Sequence, residues 1–170
     1  HVINKTFQPI GPKPRLLNCD NSYQGVVWNQ LKKMLERNMI ERIPQVASIQ
    51  VTAEWDNNHY SLNDRARSYL DINCAHCHNS KGPANTSGLF LEYHEKDVKI
   101  LGVFKPPIAA GRGSGRLDFN IVPGKPDESI FIFRMECTDP GILMPESGRK
   151  MVHKEGVALI RDWILSLEDN

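Results

Sequence analysis

An excess of charge of either sign is missing from this chain: 21 Lys and Arg stand against 20 Asp and Glu across 170 residues. That balance removes the basic footprint expected of a nucleic-acid binder and the polybasic arm that grips an anionic membrane. Long apolar runs are missing too. None approaches the roughly 18 residues that span a bilayer, and the opening "HVINKTFQPIGPKPR" lacks the make-up of a secretory signal. The chain is thus expected to be soluble as given, with any export signal or anchor removed or upstream. There is no internal repeat and no low-complexity tract. Cysteine is scarce, four residues in all, and two of the four stand in one short string.

What is present suffices for a core, since 40% of the residues are apolar. Residues 7 to 14, "FQPIGPKP", read as an extended or turn segment. In "NSYQGVVWNQLKKMLERNMI" the caps Asn21 and Ser22 precede Val27, Trp28, Leu31, Met34 and Leu35 at helical spacing, which predicts an amphipathic helix with Lys32 and Lys33 on a solvated face. Residues 41 to 60 have no clear period and read as a linker with a short strand. From Ser61 the pattern sharpens: Leu62, Ala66, Tyr69 and Leu70 predict a helix that runs straight into the cysteines. Beyond it, Gly-rich and Pro-rich stretches flank strand-like runs at Leu89 to Tyr93 and Leu117 to Val122, and "KPDESIFIFRM" reads as a short helix begun near Pro126 and Asp127. "CTDPGILMPESG" is loop. In the final "KEGVALIRDWILSL", Val157, Ile160, Trp163, Ile164 and Leu167 share one helical face.

The string Cys74-Ala75-His76-Cys77-His78 carries the chemistry. Two thiols with two residues between them can add across the two vinyl groups of a haem, and the histidine directly after the second is then placed under the iron. Composition alone yields such a string about 0.003 times in a chain of this make-up. Two other readings compete. A thioredoxin-like dithiol wants the pair at a strand-to-helix junction, whereas here a helix precedes it and a Gly/Pro loop follows. A structural zinc site wants four ligands in paired clusters, and the other cysteines, Cys19 and Cys137, each stand alone.

An imidazole-bound haem iron has a sixth position, and methionine sulfur is the favoured donor in electron carriers. Met144, in a loop and followed by a proline, is the candidate. Met34, Met39, Met135 and Met151 read as packing residues of or beside the helices. His59, His94 or His153 would serve instead in a bis-histidine site, and His76 is expected to face solvent.

A helix leading into CxxCH, a Met-Pro loop and a C-terminal helix with an aromatic residue resemble class I cytochrome c, and the match runs in order through residues 61 to 170. The insertion "GVFKPPIAAGRGSGRLDFNIVPGKPDESI" resembles the haem c domains at the ends of large exported bacterial proteins. The resemblance implies a mainly α fold, with helices around one covalent haem c, a loop and short-strand insertion, and a helical extension or the remnant of an upstream domain over residues 1–60. It implies thioethers at Cys74 and Cys77, His78 and Met144 on the iron, and Pro83 as the residue whose carbonyl takes the other imidazole N–H. It also implies that the first and last helices of the domain cross, Ala66 or Leu70 meeting Ile160 or Trp163. Arg112, Arg116 and Lys105 are candidates to pair with the propionates. A segment like Pro9 to Lys13 follows a second CxxCH in some relatives, so His1 would end such a motif and a second haem domain would lie upstream.

Six strong ligands leave no place for substrate, so these residues imply one-electron transfer between redox partner proteins rather than catalysis. The alternative is part of a dihaem peroxidase-like enzyme, or another haem enzyme, with a labile sixth ligand. Covalent haem and the two further cysteines favour an exported, periplasmic setting, where a Cys19–Cys137 disulfide would staple the arm to the haem domain; two buried thiols are the other reading.

Overall fold

The computed structural model describes residues 13–108 and 110–168, together with the strand residues 2–3 and 6–7. His1 and Pro9 to Pro12, read above as traces of an upstream motif, lie outside the described residues. The chain divides into two units, His1–Ala53 and Glu54–Asn170. Helices predominate over strands, in a mixed rather than purely helical architecture.

In the first unit, β1 (Val2–Ile3) pairs antiparallel with β2 (Thr6–Phe7), and α1 spans Pro14–Leu17. The long helix expected from Asn21 onward is replaced by a hairpin, β3 (Asp20–Tyr23) with β4 (Val26–Asn29), followed by a short α2 (Gln30–Glu36). The cause is local. Gln24 and Gly25 both take positive φ, 52° and 82°, the backbone of a two-residue turn that matches strand twist, and Val26, Val27 and Trp28 are strand formers. Asn29 is the real cap, its side chain accepting from the N–H groups of Leu31 and Lys32. Lys33 lies over the Trp28 ring and pairs with Glu36. No strand forms in residues 41–60; buried Asn18 ties that stretch down, donating to the carbonyls of Val46 and Ile49.

The second unit is built on α3 (Leu62–Asn73), α4 (Ile130–Glu136) and α5 (Lys154–Leu165). Ser61 caps α3 as expected, its hydroxyl accepting from Asp64 N–H at 3.0 Å. Ala66 and Leu70 of α3 share one core with Val157, Ile160, Trp163 and Ile164 of α5. Glycine at residue 156 leaves room for the Tyr69 hydroxyl and the His153 ring, both of which a Cβ there would overlap. Trp163 Nε1 donates to Asn63 Oδ1 at 3.1 Å, and Tyr69 shares a 3.0 Å hydrogen bond with His153 Nδ1.

The strands expected at Leu89 to Tyr93 and Leu117 to Val122 do not form; only the isolated bridges Val103–Ile121 and Phe119–Ser129 occur there. The segment is instead held by side chains. Buried Arg67 reaches from α3 to the carbonyls of Glu92, Tyr93 and Glu95, while Asp71 accepts from Tyr93 N–H. Backbone that would otherwise need a sheet partner is satisfied this way. The helix expected near Pro126 is broken into a 3-10 turn, Pro126–Glu128, and α4, since the buried Ser129 hydroxyl accepts from Val122 N–H and donates to Lys125 O.

Candidate functional site

The cysteine string begins where α3 ends. Cys74 is the C-cap, Cys77 and His78 both turn back to the Cys74 carbonyl at 3.1 and 2.9 Å, and Ala75 is buried. This position decides the thiol chemistry. Burial pushes the Cys74 thiol up to about 12, with Cys77 adding to it, and burial followed by the Glu146 charge raises Cys77. The negative end of a helix dipole acts in the same direction. A dithiol exchange site needs a thiolate stabilised at a helix N-terminus, so this is the wrong end of the wrong element for that reading. A zinc tetrad also lacks its ligands, because among the described residues no group of three or more His, Cys, Asp or Glu side chains is gathered as a metal site.

The imidazole of His78 is oriented by a partner. The Ser87 hydroxyl donates to Ala84 O at 2.6 Å, so its single hydrogen is committed. Its contact with His78 Nδ1 at 3.2 Å must therefore be accepted from an Nδ1–H, which leaves the lone pair on Nε2. Burial, then the positive charge of Arg134, then His76, bring the His78 pKa down from 6.5 to about 4. The ring is neutral across the ordinary pH range.

Because the folded chain protonates His78 near pH 4 and the unfolded chain near 6.5, the unfolded state holds more protons between these values. Stability from this group is complete above about pH 6.5 and is lost as pH falls towards about 4. Denaturant midpoints of the haem-free chain are expected to fall steadily as pH is lowered through that window, and a flat profile would contradict the buried neutral ring.

The loop that supplies Ser87 is clamped to the motif on both sides. Ala84 N–H donates to Cys77 O, and Leu91 N–H donates to His78 O. Gly82 packs against the Cys77 carbonyl so tightly that a Cβ would overlap it. Pro83 is exposed, and the Nδ1 partner is the Ser87 hydroxyl rather than the Pro83 carbonyl.

Met144 is half-buried between buried Leu143 and Pro145, with a cis peptide bond to the latter. Its N–H donates to Arg134 O at 3.0 Å, joining the loop to α4. Arg134 in turn lies near enough to His78 to disfavour its protonation, and Glu146 near enough to Cys77 to raise its thiol.

Arg112 lies beside the loop that carries Met144, near Gly141. It pairs at the surface with Asp139, at 3.2 Å, and its side chain is 73% exposed. Arg116 is exposed as well, and Lys105 lies over Gly88. The cation next to the histidine is Arg134, half-buried, whose Nε donates to Ile142 O. Its signal in the sequence was a lone arginine inside the apolar run "IFIFRM". Of the other histidines, His59 and His94 are exposed, while His153 is engaged by Tyr69, Glu155 and the edge of Trp55. His76 is half-buried rather than solvent-facing. Cys19, in the first unit, and Cys137, in the second, are each free thiols, Cys19 on the surface beside Asn21 and Gln30.

The donor set fits a group that takes one nitrogen from the protein and is bonded through two sulfurs. His78 offers a neutral, oriented Nε2, and Cys74 and Cys77 offer two free sulfurs two residues apart. Comparison with protein-family models, curated proteins and solved structures found no match to this chain.

Proposed function

We propose that the chain is an electron-transfer domain of the c-type cytochrome kind, carrying one haem through Cys74 and Cys77, with His78 Nε2 and the Met144 sulfur as axial donors. The observation that carries this reading is the hydroxyl of Ser87, which fixes the tautomer of the histidine directly after the second cysteine. When bound, the haem supplies a one-electron iron couple. Ser87 orients the imidazole and increases its electron donation; Arg134 adds a fixed positive charge beside it. With His78 and Met144 both holding the iron, substrate would have no place to bind, and the work would be exchange of electrons with partner proteins. Balanced charge favours short-lived docking of small area. Among the described residues no helix is long and apolar enough to cross a membrane. An exported setting, where covalent haem attachment takes place, is part of this proposal.

The test is a visible spectrum, oxidised and reduced, of protein made in a host able to attach haem, followed by acid extraction. Sharp reduced bands that stay with the polypeptide, with the weak far-red band of Met-to-Fe(III) ligation, would support the reading. Colourless protein would sink it. Ser87→Ala gives a second, graded test. Losing the acceptor makes His78 a weaker donor and favours the reduced state, so the reduction equilibrium should shift about tenfold, about +59 mV for one electron. An unchanged potential would remove Ser87 from the site.

A further inference from the structure

We infer that Arg149 is the positioning residue for Met144: its guanidinium latches the methionine loop onto the end of α4 and keeps the sulfur in its ligating place. This rests on the ligation proposed above. One terminal nitrogen, Nη1, donates to both Met135 O and Met144 O, the latter at 2.9 Å, and Nη2 donates to Cys137 O. Met135 and Cys137 lie at the C-terminal end of α4, where carbonyls have no donor within the helix and a cation is favoured by the dipole. The same arginine therefore satisfies the helix end and seizes the carbonyl of the candidate ligand.

Met144 is held from the other side as well, since its N–H donates to Arg134 O. Both peptide groups flanking the Met144 Cα are thus tied to α4. Gly148, at φ 81°, turns the chain so that the arginine returns to the loop it closes. Upstream of Met144 the loop is held by buried Leu143, by the Ile142 carbonyl that accepts from Arg134 Nε, and by the Ile142 and Leu143 N–H groups that donate to Asp139 O. Removing the Arg149 fork frees the downstream side, the Met144 carbonyl, and so loosens the sulfur against a competing ligand.

The experiment uses the haem-loaded chain and reads carbon monoxide binding to the reduced protein together with the far-red band of the oxidised one. Arg149→Met is expected to bind carbon monoxide about tenfold to a hundredfold more tightly than the parent, the loss of one charge-assisted hydrogen bond, and to lose most of the far-red band. Haem content should stay the same. Arg149→Lys keeps the charge and one donor and should fall between, which covers the case that the methionine variant does not fold. Arg161→Met, which breaks only the surface pairs with Asp127 and Glu136, should match the parent. In a Met144→Ala background, Arg149→Met should add nothing, because the arginine acts through the methionine. An intact far-red band and unchanged carbon monoxide affinity in either Arg149 variant would overturn the latch. A parent without covalent haem, or without the far-red band, would overturn the ligation itself, and this would be visible before any variant is made.

Discussion

Changing Cys74 and Cys77 together to serine is expected to abolish acid-stable haem completely, in a host where the parent chain comes out coloured. In the reading proposed above the two thiols would be the covalent tether, and no other pair of cysteines is similarly spaced. His78 would remain, still oriented by Ser87, so any residual colour should wash out with acid or with excess imidazole. The single variant Cys77→Ser should retain a fraction of covalent haem through one thioether. Haem that survives acid extraction in the double variant would place the attachment elsewhere and dismantle the site described above.

The second large effect is on stability. Leu70→Ala should cost the second unit about 2–5 kcal/mol, the range for emptying a well-packed aliphatic position. Leu70 is fully buried, shares the core with Ile160, Trp163 and Ile164, and its carbonyl receives the N–H groups of both Cys74 and Ala75. Its loss therefore loosens the crossing of the first and last helices at the turn that presents the cysteines. Leu165, on the outer face of α5 and 55% exposed, is the comparison: Leu165→Ala should stay within about 0.5 kcal/mol. Denaturant melts followed by near-ultraviolet dichroism would report both, because Trp163 lies in that core. Equal midpoints for the two variants would mean that the helices do not pack as described.

How much of this was legible depended on how local each signal is. Ser61 with its apolar run, the motif from Cys74 to His78, and the C-terminal helix are all written within a dozen consecutive residues, and each appears where expected. Residues 20 to 36 misled because Val27, Trp28 and Leu31 satisfy helical spacing while Val26, Val27 and Trp28 also suit a strand; the Gln24–Gly25 turn decides between them. The insertion misled differently. Its β-prone runs are held by Arg67, Asp71 and Ser129, partners up to 28 residues away in sequence.

Pro83 was plausible by type and nearness in sequence, yet the partner of His78 is set by how the turn Asn85–Ser87 folds back. Ser87, Arg134 and Arg149 have no spacing rule that announces them. Their roles come from carbonyls and ring nitrogens that only the folded chain brings near.

The raised thiols at the end of α3 carry a consequence for the order of events during the protein's maturation. Once α5 has docked on α3, Cys74 is packed against the core, with its thiol held at about 12. A reagent arriving after that meets a sulfur that is only partly exposed and protonated at neutral pH. On the haem reading proposed above, tethering is therefore expected to run faster while the C-terminal helix is still undocked than in the closed unit.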